Sequence, residues 1–183
     1  MQKCSVNGMI IRRPEKADQE ELNQLFITVI KHTFKKEGIS HLTEEMEEEM
    51  KQKKDFLQRD LTRNGEEYYF LIAVDVREKK MIGTISYGPA NALIINCTNR
   101  ALKDWLEIGT VYVHPDYQKQ GVGTALLNHL FADMKGKGIN QFCLDSGYKQ
   151  AQMVWRKKLG EPKYVMKNYW GEGSHHMIWA ENI

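Results

Sequence analysis

Cysteine is scarce in this 183-residue chain, with only Cys4, Cys97 and Cys143, far apart and odd in number. No C-x-x-C pair exists and the odd number argues against a disulfide framework, so a reducing cytosol is expected and each thiol reads as a small buried hydrophobe. No apolar run approaches the roughly 20 residues that span a bilayer. The opening segment, Met1 to Asn7, is polar and lacks the apolar core of a signal peptide, so a cytoplasmic chain is expected. Excess charge of one sign is also missing. Lys and Arg number 26 against 24 Asp and Glu, a formal net charge of +2. That balance argues against nucleic acid or an anionic membrane as the main partner. There are four prolines, no Pro-rich linker and no repeat. A single domain over residues 1–183 is therefore expected.

What is present alternates between two periods. Met9 to Arg12 reads as a short strand closed by Arg13-Pro14. Leu22, Leu25, Phe26, Val29 and Ile30 fall on one helical face, with Asp18 placed to cap. A second helix is predicted from Thr43 to Leu61 on the stripe Met46, Met50, Leu57 and Leu61. Its acidic run Glu44 to Glu49, beside the basic Lys51 to Lys54, reads as a solvated face. Tyr68 to Val76 and Met81 to Tyr87 suit a hairpin turned at Arg77-Glu78-Lys79-Lys80. Gly88 to Asp104 reads as a long irregular loop and a candidate wall of a substrate site. Leu106 to Val113 is the next strand, followed by a helix from Gly121 to about Met134, a strand at Asn140 to Leu144 and a helix from Gln150 to Leu159. Tyr164 to Asn168 and His175 to Trp179 flank Gly171 and Gly173 as a terminal hairpin. This order specifies a mixed α/β domain of the α+β type.

Chemistry concentrates between Val111 and Leu127. A strand ending in Val111-Tyr112-Val113-His114-Pro115-Asp116-Tyr117 runs into Gln118-Lys119-Gln120-Gly121-Val122-Gly123-Thr124 and then an apolar helix. The first amides of a helix lack intrahelical acceptors and carry partial positive charge, which makes an anion site. Gly121 and Gly123 remove side chains that would hold a pyrophosphate off the backbone. Thr124 adds a hydroxyl and Lys119 a rim charge. A P-loop would need Lys-Ser or Lys-Thr after the glycine, where this chain has Thr124-Ala125. A dinucleotide fingerprint would need a small residue where Leu126 stands.

The run from Val111 to Leu127 strongly resembles motif A of the GNAT acetyltransferases, whose pattern is Gln/Arg-x-x-Gly-x-Gly/Ala after a strand and a proline-containing turn. The element order resembles that family over nearly the whole chain. The resemblance implies a central mixed sheet with helices on both faces and acetyl-CoA as co-substrate, with no metal. It implies that the strand backbone at Val111, Tyr112 and Val113 pairs with the pantetheine arm. Gln118, Lys119, Gln120, Gly121, Val122, Gly123 and Thr124 would then surround the pyrophosphate. It further implies direct acetyl transfer to a primary amine, with the oxyanion met by a motif-A strand amide. A small polar amine is the favoured acceptor. A protein lysine or N-terminus, or a CoA-binding sensor without catalysis, is the alternative, and a homodimer is compatible with the reading.

The proton carriers are less regular. Glu107 lies eleven residues before Gln118, the spacing of the strand glutamate that serves as general base in the histone-acetylating branch. Alternation places it on the face of Gly109, Val111 and Val113 unless a bulge intervenes. The alternative is an exposed strand-end carboxylate. The family's helix tyrosine, which protonates the leaving thiolate, is missing: Trp155 or Arg156 occupies its place, depending on register. Trp155 reads as packing, and Tyr148, Tyr164 and Tyr169 are the substitutes, with Tyr148 the chosen catalytic candidate beside Glu107. His175 and His176 point to opposite faces of a strand and read as packing rather than as metal ligands. Tyr169-Trp170 would either line an acceptor pocket or anchor the hairpin.

Overall fold

The computed structural model describes residues 4–6 and 8–183; residues 1–3 and 7 of the polar opening segment lie outside it. Eight strands and five α-helices are present among the described residues: β1 (Cys4–Val6), β2 (Met9–Arg12), α1 (Gln19–Glu37), α2 (Thr43–Thr62), β3 (Tyr69–Asp75), β4 (Lys80–Pro89), α3 (Ala92–Cys97), β5 (Leu106–Val113), α4 (Val122–Gly136), β6 (Gln141–Ser146), α5 (Lys149–Leu159), β7 (Tyr164–Met166) and β8 (His176–Asn182). The class is mixed α/β, as expected. The chain forms two compact units, one of residues 1–87 and 110–134, the other of residues 88–109 and 135–183. Strands β4 and β5 each contribute one end to each unit.

In the first unit β1, β2, β3 and β4 lie in sequence order as antiparallel neighbours, with α1 and α2 inserted between β2 and β3 and the C-terminal half of β5 next in order. The β3–β4 hairpin pairs Tyr69 with Tyr87 and shifts register between Ala73 and Val74. Helix α1 buries the five residues its periodicity picks out, and Phe34 with them. Phe26 lies at its centre, with Phe70 at 6.3 Å and Tyr112 edge-on at 6.0 Å. Asp18 sits at the N-cap but makes no cap bond. Its carboxylate instead accepts from both Arg12 guanidinium nitrogens and from the Glu15 amide. These partners hold Asp18 below the usual carboxylate range, although burial opposes them as the largest single influence.

The stripe on α2 is thinner than its spacing suggests. Leu57 is buried, while Met46, Met50 and Leu61 are only half-buried. The helix also buries a charge, because Asp60 is fully enclosed and Arg13 Nη2 stands 2.7 Å from its Oδ1. Arg13 also donates to the Phe70 carbonyl and lies over the Tyr69 ring, so the buried carboxylate faces a fixed cation. Within the acidic run, Glu44, Glu45, Glu47 and Glu48 are solvated, whereas half-buried Glu49 accepts from the Tyr112 hydroxyl at 2.7 Å.

Helix α4 carries Val122, Leu126, Leu130 and Met134 inward, with Leu127. It approaches β4 at Gly83, where a Cβ would meet Val122 Cγ1 at 3.0 Å, Leu126 Cδ1 at 3.1 Å and the Tyr112 carbonyl oxygen at 3.1 Å. Only a residue without a side chain allows that approach.

In the second unit the strand order is β5, β6, β8, β7. The parallel register of β5 with β6 is a single Cα pair, Glu107 with Cys143, whereas β6 and β8 pair antiparallel over six residues. The predicted terminal hairpin is present as β7 and β8, with Met166 opposite His176. The expected irregular loop from Gly88 to Asp104 is corrected by the structure. Gly88 and Pro89 prolong β4, and 92–97 form α3, capped by the Asn91 side chain accepting from the Ile94 amide at 2.8 Å. A six-residue helix is too short to show a period, and its cap is a better signal than its hydrophobicity. Ala90, Ile94, Leu102, Cys143 and Ile178 make one core cluster of this unit. Trp155 is buried as a packing residue, and Trp179 is fully buried with its indole N–H donating to the Gly160 carbonyl at 2.9 Å.

Replacing Gly83 by alanine should destabilise the protein by about 1–3 kcal/mol through overpacking, because one of the three close atoms belongs to the backbone. Urea unfolding measures this, and an unchanged midpoint would show that α4 can shift freely.

Candidate active site

The predicted anion-binding turn lies wholly within the first unit. Strand β5 ends at Val113, Pro115–Tyr117 makes one 3₁₀ turn, and α4 starts at Val122. Its first intrahelical bond runs from the Ala125 amide to the Gly121 carbonyl, 2.9 Å. The amides of Val122 and Gly123 come before that bond and have no acceptor inside the helix. Lys119 and Gly121 take left-handed backbone angles, φ +62° and +88°. That conformation costs glycine little and lysine more, so the turn holds some strain at Lys119. A Cβ on Gly121 would meet nothing within 4 Å, and one on Gly123 would meet only Val113 Cγ2 at 3.6 Å. The space before these amides is open, and the glycines keep it so.

Gln118 secures the turn. Its amide donates to the Pro115 carbonyl at 3.3 Å and its side chain donates to the Val113 carbonyl at 3.2 Å. Lys36, in the last turn of α1, donates to Gln118 Oε1 at 3.4 Å. Gln118 therefore shapes the loop, while Lys36 brings a cation that the motif alone does not reveal. His114 accepts from the Asp116 amide, and Lys80 Nζ stands 3.4 Å from its Nε2. Burial, then the Lys80 charge, lower the pKa of His114 and favour the neutral ring.

Strand β5 is not regular. Thr110, in mid-strand and buried, has φ +50°. A β-branched residue there is a genuine backbone outlier. The alternation that would align Glu107 with Val111 and Val113 is interrupted at this point. Val111, Tyr112 and Val113 are all half-buried.

The second unit assembles the polar residues. Glu107 Oε2 accepts from the Asn91 backbone amide at 2.8 Å, so it is held rather than loose at a strand end. Asn91 Nδ2 donates to Asp145 Oδ2 at 3.1 Å, and His176 Nε2 lies 3.1 Å from the same oxygen. The Trp170 indole N–H donates to His176 Nδ1 at 3.1 Å. Tyr148 is the N-cap residue of α5, and its amide donates to Ser146 Oγ at 3.2 Å. Tyr164 packs on the core cluster, and Tyr169 is exposed with its ring edge-on to Trp170. Cys143 is buried, and burial followed by the charges of Glu107 and Asp145 pushes its thiol up to about 12. It stays protonated near neutrality and is a poor nucleophile.

The family model for the acetyltransferase (GNAT) family matches residues 30–160, more than half of the chain. The chain belongs to that family. A search of curated proteins found no match. Among solved structures, the PaiA N-acetyltransferase of Thermoplasma acidophilum, in complex with coenzyme A, is 20% identical with TM-score 0.68, over 96% of this chain and 99% of that one. A ribosomal-protein-alanine N-acetyltransferase from Brucella melitensis is 18% identical with TM-score 0.67, covering 94% of this chain and 99% of that one. The ribosomal-protein-S5-alanine acetyltransferase of Vibrio fischeri is 16% identical with TM-score 0.65, covering 100% and 97%. At such identities the likeness shows the fold.

As a GNAT enzyme the protein uses acetyl-CoA as co-substrate, and the open glycine turn with Lys36 and Lys119 suits its phosphates. Among the described residues no group of three His, Cys, Asp or Glu is placed to hold a metal ion, and no helix is long and apolar enough to cross a membrane. His176 is buried in β8, as the packing reading expects, and its imidazole also bonds on both nitrogens. Asn91 was missed altogether, and its only local signal was an Asn preceding a short apolar run.

Acetyl-CoA at a hundredfold excess over its Kd should stabilise the acetyltransferase by about 2.7 kcal/mol. Gly123→Asp should abolish that gain while leaving the unliganded melting temperature nearly unchanged, since the added Cβ has room. Calorimetry of both proteins checks it, and an undiminished affinity in the mutant would move the phosphates elsewhere.

Proposed function

We propose that this enzyme transfers acetyl directly from acetyl-CoA to the primary amine of a small polar molecule, with Glu107 as general base. Glu107 and the phosphate turn belong to one continuous run of chain, β5 and the loop that follows it. The observation that carries the reading is the fixed Glu107 carboxylate, held by the Asn91 amide on the motif-A strand. An alkyl amine with pKa near ~10.4 is mostly protonated at neutral pH, and it must lose a proton before it attacks. A held carboxylate accepts that proton directly or through one water. The amine nitrogen then bonds to the acetyl carbon, the carbon–sulfur bond breaks, and the CoA thiolate takes a proton.

For that last proton, Tyr148 at the start of α5 is the proposed donor. Tyr164 is committed to core packing, and Tyr169 stands exposed on the hairpin. The buried, protonated Cys143 supports direct transfer over an acyl-enzyme route. Acetylation of a protein N-terminus is the second reading, favoured by neighbours named as ribosomal-protein-alanine acetyltransferases. Release of CoA thiol with a panel of diamines, amino sugars, lysine and alanine-terminated peptides separates the two.

Glu107→Gln keeps the shape and removes the proton acceptor. Turnover should fall by roughly 10²–10⁴-fold with acetyl-CoA affinity unchanged. Loss of cofactor binding or stability in step with activity would instead mark the residue as structural. Separately, Tyr148→Phe should lower turnover at saturating substrates; wild-type turnover would leave water or the product ammonium as the proton source.

A further inference from the structure

We infer that His176, locked by Trp170, is a positioning residue that orients the proposed base Glu107 through Asp145 and Asn91. The inference rests on the reading of Glu107 given above. Its physical basis is a chain of hydrogen bonds with a defined direction. The Trp170 indole can only donate, so His176 Nδ1, 3.1 Å away, must accept. In the neutral imidazole the proton is then on Nε2, which donates to Asp145 Oδ2 at 3.1 Å. The same carboxylate oxygen accepts from Asn91 Nδ2 at 3.1 Å. Asn91 Oδ1 is occupied by the Ile94 amide, which fixes the side chain's remaining freedom. The Asn91 backbone amide is thereby aimed at Glu107 Oε2, 2.8 Å distant.

Trp170 owes its place to a glycine. A Cβ on Gly147 would stand 2.7 Å from the indole Nε1. Trp170 is 56% exposed whereas His176 is 4% exposed, so an outer residue covers a buried one. An exposed tryptophan contributes little through burial. Its hydrogen bond to a buried imidazole gives it a definite role. The groups facing His176 are Asp145 from β6, and Tyr169 and Trp170 from the loop between β7 and β8. A second proton on His176 would turn Nδ1 into a donor opposed to the indole donor, and the lock would open. Asp145 would meanwhile face a full cation.

Two measurements on the intact protein test this. In NMR spectra, His176→Phe should shift the Asn91 backbone amide, whereas His176→Gln, whose Nε2 can still donate to Asp145, should leave it near its wild-type position. An Asn91 amide unmoved in folded His176→Phe would overturn the inference, whether or not an acceptor amine has been found. The kinetic test uses the panel amine with the highest turnover. His176→Phe should lower kcat by about 10–100-fold, the usual worth of a partner that orients an active group, with acetyl-CoA Kd unchanged and most of the loss restored in His176→Gln. In a Glu107→Gln background His176→Phe should cost little more, because both act through one carboxylate. Losses that simply multiply would overturn the positioning role while leaving the base reading intact. Full turnover in Glu107→Gln would sink the base reading instead. Should His176→Phe not fold, Trp170→Phe removes the same lock from the exposed side, and wild-type kcat and an unchanged Asn91 amide in that variant would overturn the inference.

Discussion

The close approach of α4 to β4 at Gly83 sets the geometry on which the glycine turn, the proposed cofactor site, depends. With Val122, Leu126 and the Tyr112 carbonyl all within about 3.1 Å of where a Cβ would stand, the first turn of the helix is held against the sheet. Its N-terminal amides are therefore fixed in direction before any ligand arrives. Preorganised donors act on an anion without first being ordered, which is where a backbone site gains its affinity. Gln118, bonded to the Val113 carbonyl, closes the loop from the other side.

The two ends of β5 belong to different units. The C-terminal end leads into the glycine turn, supported by Tyr112 against Phe26 and by its hydroxyl on Glu49. The N-terminal end carries Glu107, held by the backbone amide of Asn91, the N-cap residue of α3. Between them Thr110 holds a left-handed backbone, a conformation that persists only where its surroundings impose it. Such strain is tolerated in a stable domain because the rest of the packing offsets it, and it clusters where strands must redirect their amides.

Buried polar groups in the second unit follow one rule: each finds a partner that fixes its orientation. Asp145 accepts twice on one oxygen, His176 uses both ring nitrogens, and Gln152 donates to the Ser146 and His175 carbonyls. Unsatisfied, any of these would cost as much as a lost hydrogen bond or more. Satisfied, they make this region specific in shape.

The strand-turn-helix around Gly121 and Gly123 was legible in the sequence because every part of it is local. A strand period, a proline, two glycines and a helical period follow one another within about twenty residues, and backbone sterics do the rest. The helical faces of α1 and α4 were legible for the same reason, since burial follows a 3.6-residue period. The short helix α3, the half-buried stripe of α2 and the missing cap bond at Asp18 were not, because neighbours from elsewhere in the chain decide each of them. Arg12 takes the Asp18 carboxylate that would otherwise cap α1. The network of Asn91, Glu107, Asp145, Trp170 and His176 spans some eighty-five positions with no common spacing. Only the pairing of β6 with β8, and of β5 with β6, brings those residues within hydrogen-bond distance. Local order along the chain thus determined the family motif and the main elements, while tertiary pairing decided which distant polar groups meet, because hydrogen bonds reach about 3 Å and carry no record of sequence separation.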